Sequence, residues 1–238
     1  MMRSVVKPVE FKFNDYLSKG LELIKKDFGN FILAYFFCMI MAIIPLCGLL
    51  AMGNFYKYCK KLDRGEMVGA GEIFNFDDFM PYFILQLIII GGFFALYIPF
   101  FIFIPMAGLL GGIGGGNEAS SVFMVLFMFL YLAAFIFAIF YFALKGFYIP
   151  GLISLNKTTD IKTAWNMSKV MTKNNLLLIF LFAIVVCFLA QLGVLACGIG
   201  LLVTMPYYYT THYFAFEDAI QQIGYDEIKE IGLKEKDE

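Results

Sequence analysis

His212 is the only histidine in the chain, and acid–base or metal chemistry would have to start there. It stands in Thr210-Thr211-His212-Tyr213, near the end of the last apolar run, with no cysteine, carboxylate or second histidine adjoining it. A lone imidazole makes neither a zinc site nor a Ser-His pair without partners. Packing near a membrane boundary is its expected role, and proton or ligand handling is the functional alternative. The five cysteines, Cys38, Cys47, Cys59, Cys187 and Cys197, form no CxxC pair and mostly lie inside apolar runs, where thiols behave as small hydrophobes. Cys47 and Cys197 fall in turns expected to face outward, and the sequence leaves their pairing open. Gly108-Leu109-Leu110-Gly111-Gly112-Ile113-Gly114-Gly115-Gly116 lacks the Lys-Ser/Thr of a phosphate loop and reads as a flexible outer connection. No motif calls for a metal, a cofactor or a catalytic residue, so the chain is expected to be non-enzymatic.

Polar groups and kinks inside the apolar runs are the remaining chemistry. Gln86, Gln191, Thr204 and Asn54 are uncharged, and an ion-coupled pump would lack its usual carboxylate. Pro99 and Pro105 are expected to break the third span and Pro206 the sixth. Gln86, Pro99, Gln191, Thr204, Pro206 and His212 therefore form the candidate polar or kinked interior. Interhelical hydrogen bonds of about 1 kcal/mol each account for such groups; a substrate path is the alternative.

These residues must be positioned by a membrane-embedded chain. Of 238 residues, 61% are hydrophobic and 16% charged, with 29 Phe and 14 Tyr, and the mean hydropathy is +0.79. A soluble domain is about 45–50% apolar and about 25% charged, so this chain cannot coat itself with polar surface. The net charge of −1 excludes broad attraction to nucleic acid. The first 27 residues are too charged for a signal peptide.

Apolar runs lie at 28–56, 80–110, 121–149, 175–196 and 198–216, and a spanning helix needs about 20 apolar residues. The first run is one long span or a hairpin turning at Pro45-Leu46-Cys47-Gly48. Charge decides between them. All 18 Lys and Arg fall in residues 1–27, 57–64, 145–173 and 229–236. If 28–58, 80–144 and 175–216 are hairpins, every basic block lies on one side, which the positive-inside rule makes cytoplasmic. The predicted fold is all-α: six transmembrane helices in three hairpins, both termini inside.

Two amphipathic helices are expected at 15–28 and 160–173. The first presents Leu17, Leu21, Ile24 and Phe28 on one face, with Lys19, Glu22, Lys25 and Lys26 opposite. The second, capped by Thr159 or Asp160, presents Ile161, Ala164, Trp165, Ser168 and Met171, with Lys162, Asn166, Lys169 and Lys173 on the remainder. Lying flat at the interface, Lys19, Lys25, Lys26, Lys162, Trp165, Lys169 and Lys173 are candidate lipid contacts. Tyr207, Tyr208, Tyr209, Tyr213, Phe147 and Tyr148 read as an interfacial aromatic belt. Residues 217–238, with eight acidic and three basic side chains, read as a tail that docks a partner or stays mobile.

The two amphipathic helices and the spans after them align weakly as a parallel repeat, about 15–62 on 160–216. Gly20 falls on Ala164, Lys25 on Lys169, Asn30 on Asn174, Gly48-Leu49-Leu50 on Gly200-Leu201-Leu202, and Phe55-Tyr56 on Tyr207-Tyr208. Ala164-Trp165-Asn166-Met167-Ser168-Lys169, Lys173-Asn174 and Gly198 through Pro206, with the tyrosines after them, resemble a family of bacterial multi-helix membrane proteins. That family is related to the membrane domain of some glycerophosphodiester phosphodiesterases. Gly53-Asn54-Phe55-Tyr56, Arg64-Gly65-Glu66 and Ile73-Phe74 resemble its first half. The resemblance implies a bacterial cytoplasmic membrane and supplies no reaction. The expected partners are membrane lipids and a protein partner or second copy. The expected function is a lipid-associated envelope component or accessory subunit, with a small-solute or lipid transporter as the alternative.

Overall fold

A computed structural model describes residues 9–113, 118–195 and 200–234, and all regular structure among them is helical. The elements are α1 (Phe13–Lys26), α2 (Phe28–Ile43), α3 (Gly48–Asp63), a 3-10 turn (Ala70–Phe74), α4 (Phe79–Ile113), α5 (Glu118–Lys145), α6 (Ile149–Ser154), α7 (Ile161–Met171), α8 (Leu176–Leu195) and α9 (Leu201–Lys234). The described residues within 1–84 and 144–238 form one compact unit, and those within 85–143 form a second.

Three stretches are long and apolar enough to cross a membrane: Phe79–Pro99, Leu126–Ser154 and Leu176–Leu195. A fourth appears if α1 and α2, which meet at 103°, count as one bent span. The expected hairpin at 28–58 is present, turning between α2 and α3 with Leu46 in the left-handed region at φ 65°. Each arm has only 16 residues, however, about 24 Å of helix against a hydrocarbon core of about 30 Å.

Local chemistry sets most boundaries. Asp27 caps α2 by accepting the Asn30 N–H, and Asp160 caps α7 by accepting from the N–H groups of Lys162 and Thr163. The Thr163 hydroxyl also donates to Asp160 and is the first cause holding that carboxyl below its ordinary value. α3 ends in a Schellman turn, with Glu66 N–H donating to Lys61 O and Gly65 N–H to Leu62 O. Gly65 there has φ +76°, where a Cβ would be strained.

Two expectations are corrected. The prolines do not break their spans: α4 continues through Pro99 and Pro105, and α9 through Pro206. Glycine and proline are tolerated in apolar helices where neighbouring helices, side chains and local adjustments of the helix re-satisfy the freed backbone groups. For the same reason Gly108–Ile113 belongs to α4 rather than to an outer loop; Gly114, Gly115 and Gly116 lie outside the described residues. α9 also carries straight on through residues 216 and 217 into the acidic segment.

The core of the first unit is aromatic. Tyr16, Phe31, Phe55, Tyr56, Tyr58, Tyr82, Tyr148, Phe182, Tyr213 and Phe216 are all fully buried. α1 lies along α9, α8 also packs on α9, and α3 packs on α2, α6 and α9. At Gly53 of α3, the Tyr82 ring lies where any Cβ would stand. The second unit is different: along α4 and α5, Phe94, Phe101, Phe129 and Phe137 are all at least 66% exposed. Inside it, Phe93 and Tyr97 of α4 meet Phe135 of α5 edge-on, at 6.1 and 5.5 Å between ring centres.

Candidate functional site

The polar side chains of the first unit gather around the C-terminal half of α3, the N-terminal segment and the middle of α9. α3 carries Lys57, Lys60 and Lys61 in its last turns, where cations complement the helix dipole. Each lysine meets an acid from a different element. Lys57 pairs with Asp78 at 2.5 Å, Lys60 with Glu217 at 3.1 Å, and Lys61 with Glu72 of the 3-10 turn. Asp63, at the end of α3, takes Lys26 of α1 at 3.3 Å and the Tyr213 hydroxyl of α9 at 3.2 Å. Lys60 and Glu217 are mostly shielded from solvent, so this pair holds more than the exposed ones do.

Residues 9–12 form a strap across α9 and α8. Glu10 N–H donates to Gln222 Oε1 at 2.8 Å, and Gln222 Nε2 returns a bond to Glu10 O at 3.0 Å. The Asn175 amide donates to Val9 O. Asp218 accepts from Lys12 Nζ (2.9 Å), the Tyr16 hydroxyl (2.7 Å) and Gln222 Nε2 (2.7 Å). The hydrogen bond that Lys12 donates to Asp218 is the main cause raising the Lys12 pKa above its ordinary value. Phe11 seats edge-on against Tyr16, Phe147 and Phe182. The acidic segment is thus a clamp in its first turns: Asp218 and Gln222 close the N-terminal strap onto α9, while Glu217 ties α9 to Lys60 of α3.

His212 sits behind that strap, 5% exposed. Its Nδ1 lies 2.7 Å from Tyr208 O, one turn back on α9. Rings of Tyr208, Phe182, Phe147 and Phe216 surround it at 4.2 to 6.0 Å. Thr204 donates to Ala190 O of α8 at 2.6 Å and to Gly200 O at 3.1 Å, an interhelical bond of the kind expected. Pro206 is buried. Gln191 is exposed on α8, where among the described residues it bonds Cys187 Sγ at 3.5 Å and neither Thr204 nor His212. Gln86 and Pro99 belong to the second unit, where Gln86 Oε1 is buried with no hydrogen-bond partner among the described residues. Among the described residues no group of three His, Cys, Asp or Glu could hold a metal. Cys47 is buried and free; Cys197 lies outside the described residues.

Of the lipid-interface candidates, Lys19, Lys25, Lys26, Lys162, Lys169 and Lys173 are all exposed and Trp165 is half-buried. The apolar face of α1 differs from expectation. Tyr16, Gly20, Leu23 and Ile24 are buried, largely against α9, while Leu21 and Phe28 are about half exposed. α1 has apolar side chains on two faces, and protein claims the one that carries Tyr16. The tyrosines are also turned inward rather than forming a belt. Tyr207 donates to Leu17 O at 3.1 Å, Tyr209 packs on Tyr35, Phe55 and Tyr56, and Tyr148 and Tyr213 are 1% exposed. Composition made their aromatic character visible, but partners more than 150 residues away were not. The strap carried no local signal at all, and Asn175, rather than Asn174, is the asparagine that holds it.

The chain matches no protein family, no curated protein and no solved structure.

Proposed function

We propose that this chain is a non-enzymatic integral membrane protein acting through lipid association, as an envelope component or accessory subunit of a bacterial cytoplasmic membrane. The observation that carries this reading is the contrast in its polar groups. Thr204, His212, Asn54 and the α3 lysines are spent on partners within the protein, while α4 and α5 expose apolar side chains for most of their length. We extend the reading to six spans, with α3 and the first part of α9 completing short hairpins, and to both termini on the cytoplasmic side. The gathering of Lys12, Lys26, Lys57 and Lys60 at one end supports that orientation. The shared order of α1–α2–α3 and α7–α8–α9, a short amphipathic helix and then two helices, supports the parallel repeat. The string Ala164 through Lys169 supports kinship with the membrane-domain family it resembles.

A small-solute or lipid transporter is the second reading, favoured by one observation: Gln86 Oε1 is buried in an apolar helix with no hydrogen-bond partner among the described residues. Purification in lipid nanodiscs, with native mass spectrometry of what stays bound, tests the choice. Retained lipid or a fixed-ratio protein partner, with no flux in liposomes, is the expected result. Substrate-dependent flux that Gln86→Leu abolishes would overturn it in favour of transport.

A further inference from the structure

α1 and α7 look equivalent in sequence, yet their charges are handled differently. Residues 13–27 hold Lys19, Lys25 and Lys26 against Asp15, Glu22 and Asp27, a sum of zero. Glu22 lies three residues after Lys19 and three and four before Lys25 and Lys26, and Asp15 lies four before Lys19, so each lysine has an acid as a helix neighbour, although among the described residues neither Lys19 nor Lys25 comes within ion-pair distance of one. Lys26 also binds Asp63. From 160 to 173 the count is Lys162, Lys169 and Lys173 against Asp160 alone, a sum of +2. Asp160 sits beside Lys162, but its oxygens are taken by the N–H groups of Lys162 and Thr163 and by the Thr163 hydroxyl. No carboxylate among the described residues lies within ion-pair distance of Lys162, Lys169 or Lys173.

The spacing aligns them. At 3.6 residues per turn, positions 162 and 169 of α7 fall within about 20° of one another, Lys173 follows in the turn just past the Thr172 cap, and all three side chains are exposed. Trp165 projects at the edge of that stripe, between it and the face of Ala164, Ser168 and Met171, which is buried. Ser168 anchors this face by donating to Lys145 O at 2.6 Å. α7 also connects two stretches able to cross a membrane, one ending at Ser154 and the next beginning at Leu176, so it lies where chain leaves and re-enters the bilayer. A row of unpaired lysines with a tryptophan beside it is the chemistry that holds anionic lipid headgroups.

The geometry points to α7 as an anionic-lipid contact, with Lys162, Lys169 and Lys173 taking the headgroups of a negatively charged bilayer surface and Trp165 resting at the acyl boundary. α1, neutral and packed on α9, does not share this role. The inference rests on the lipid-associated reading and names both the lipid class and the helix that selects it.

Trp165 is the only tryptophan in the chain, so its fluorescence reports on α7 without a label. The full-length protein is reconstituted in phosphatidylcholine vesicles containing equal mole fractions of either brominated phosphatidylglycerol or brominated phosphatidylcholine. Stronger quenching by the phosphatidylglycerol is expected, and the preference is expected to shrink at high salt. Each lysine contributes about 1 kcal/mol near an anionic surface, so each Lys→Gln change is expected to cut the relative association about fivefold. Lys162→Gln, Lys169→Gln and Lys173→Gln together are expected to abolish the preference. Moving the tryptophan to α1, with Leu21→Trp and Trp165→Phe, is expected to give quenching without preference. Equal quenching of Trp165 by both lipids would overturn the anionic-lipid assignment and leave the lipid-associated reading standing. Quenching by neither, in protein shown to be incorporated, would overturn both.

Discussion

Phe182 and Phe137 each lie within long apolar helices, and their surroundings are opposite. Phe182 is fully buried in the first unit, ringed by Phe11, Phe13, Tyr16, Phe147 and His212. Phe137, in the second unit, is 72% exposed. The first unit closes around its own aromatic core and ties its polar end with ion pairs that join the N-terminal strap, α1, α3, the 3-10 turn, the turn before α4, and α9. The second leaves its apolar side chains to the surrounding medium. Hydropathy alone rates α8 and α5 alike, so the number of apolar residues does not say which of them face protein. What separates the two is whether close-packing glycines and polar anchors accompany the apolar run.

The largest effect expected is at that contrast. Phe182→Ala should cost about 3–5 kcal/mol in thermal unfolding in nanodiscs, whereas Phe137→Ala should change stability by no more than about 0.5 kcal/mol. Equal losses would remove the distinction. Gly53→Ala places a methyl group against the Tyr82 ring, and overpacking of this kind should cost about 1–3 kcal/mol.

Asp218→Ala sharpens the comparison from the polar side. It leaves the buried Tyr16 hydroxyl without its acceptor, a loss of about 1–3 kcal/mol, and should speed proteolysis near the N-terminus. Because Lys12 titrates above its ordinary 10.5 in the folded chain, its contribution is complete below that pH. It should be lost as the pH rises through the elevated folded value, and Asp218→Ala should flatten this alkaline loss. Thr204→Val is the smallest loss expected within the first unit, about 0.6 kcal/mol for one interhelical bond between α8 and α9.

Much of the fold was legible in order along the chain. The turn at 45–48, the Asp160 cap and the α7 face of Ala164, Ser168 and Met171 follow from local spacing. The side of α1 facing protein did not, since both its faces carry apolar residues and only α9 decides between them. The candidate site was legible in part. Thr204 and His212 are interior, but Gln191 on the same apolar helix as Phe182 faces outward, because periodicity on an all-apolar helix gives no direction. Asp63, Asp78, Glu217, Asp218 and Asn175 were passed over. Their partners lie 21 to 206 residues away, beyond any local pattern.

The membrane placement underlies the whole account, and two exposed positions test it most directly. Cys187 on α8 is exposed in the fold but lies within an apolar span; Met67, after α3, is fully exposed at the polar end. Membranes opened to both sides are treated with a membrane-impermeant maleimide, and labelled sites are located by peptide mass spectrometry. The account predicts rapid labelling of the thiol introduced by Met67→Cys and none at Cys187 until the membrane is dissolved in denaturant. Labelling of Cys187 at a comparable rate in the intact membrane would show that the apolar faces meet water, and would contradict the account.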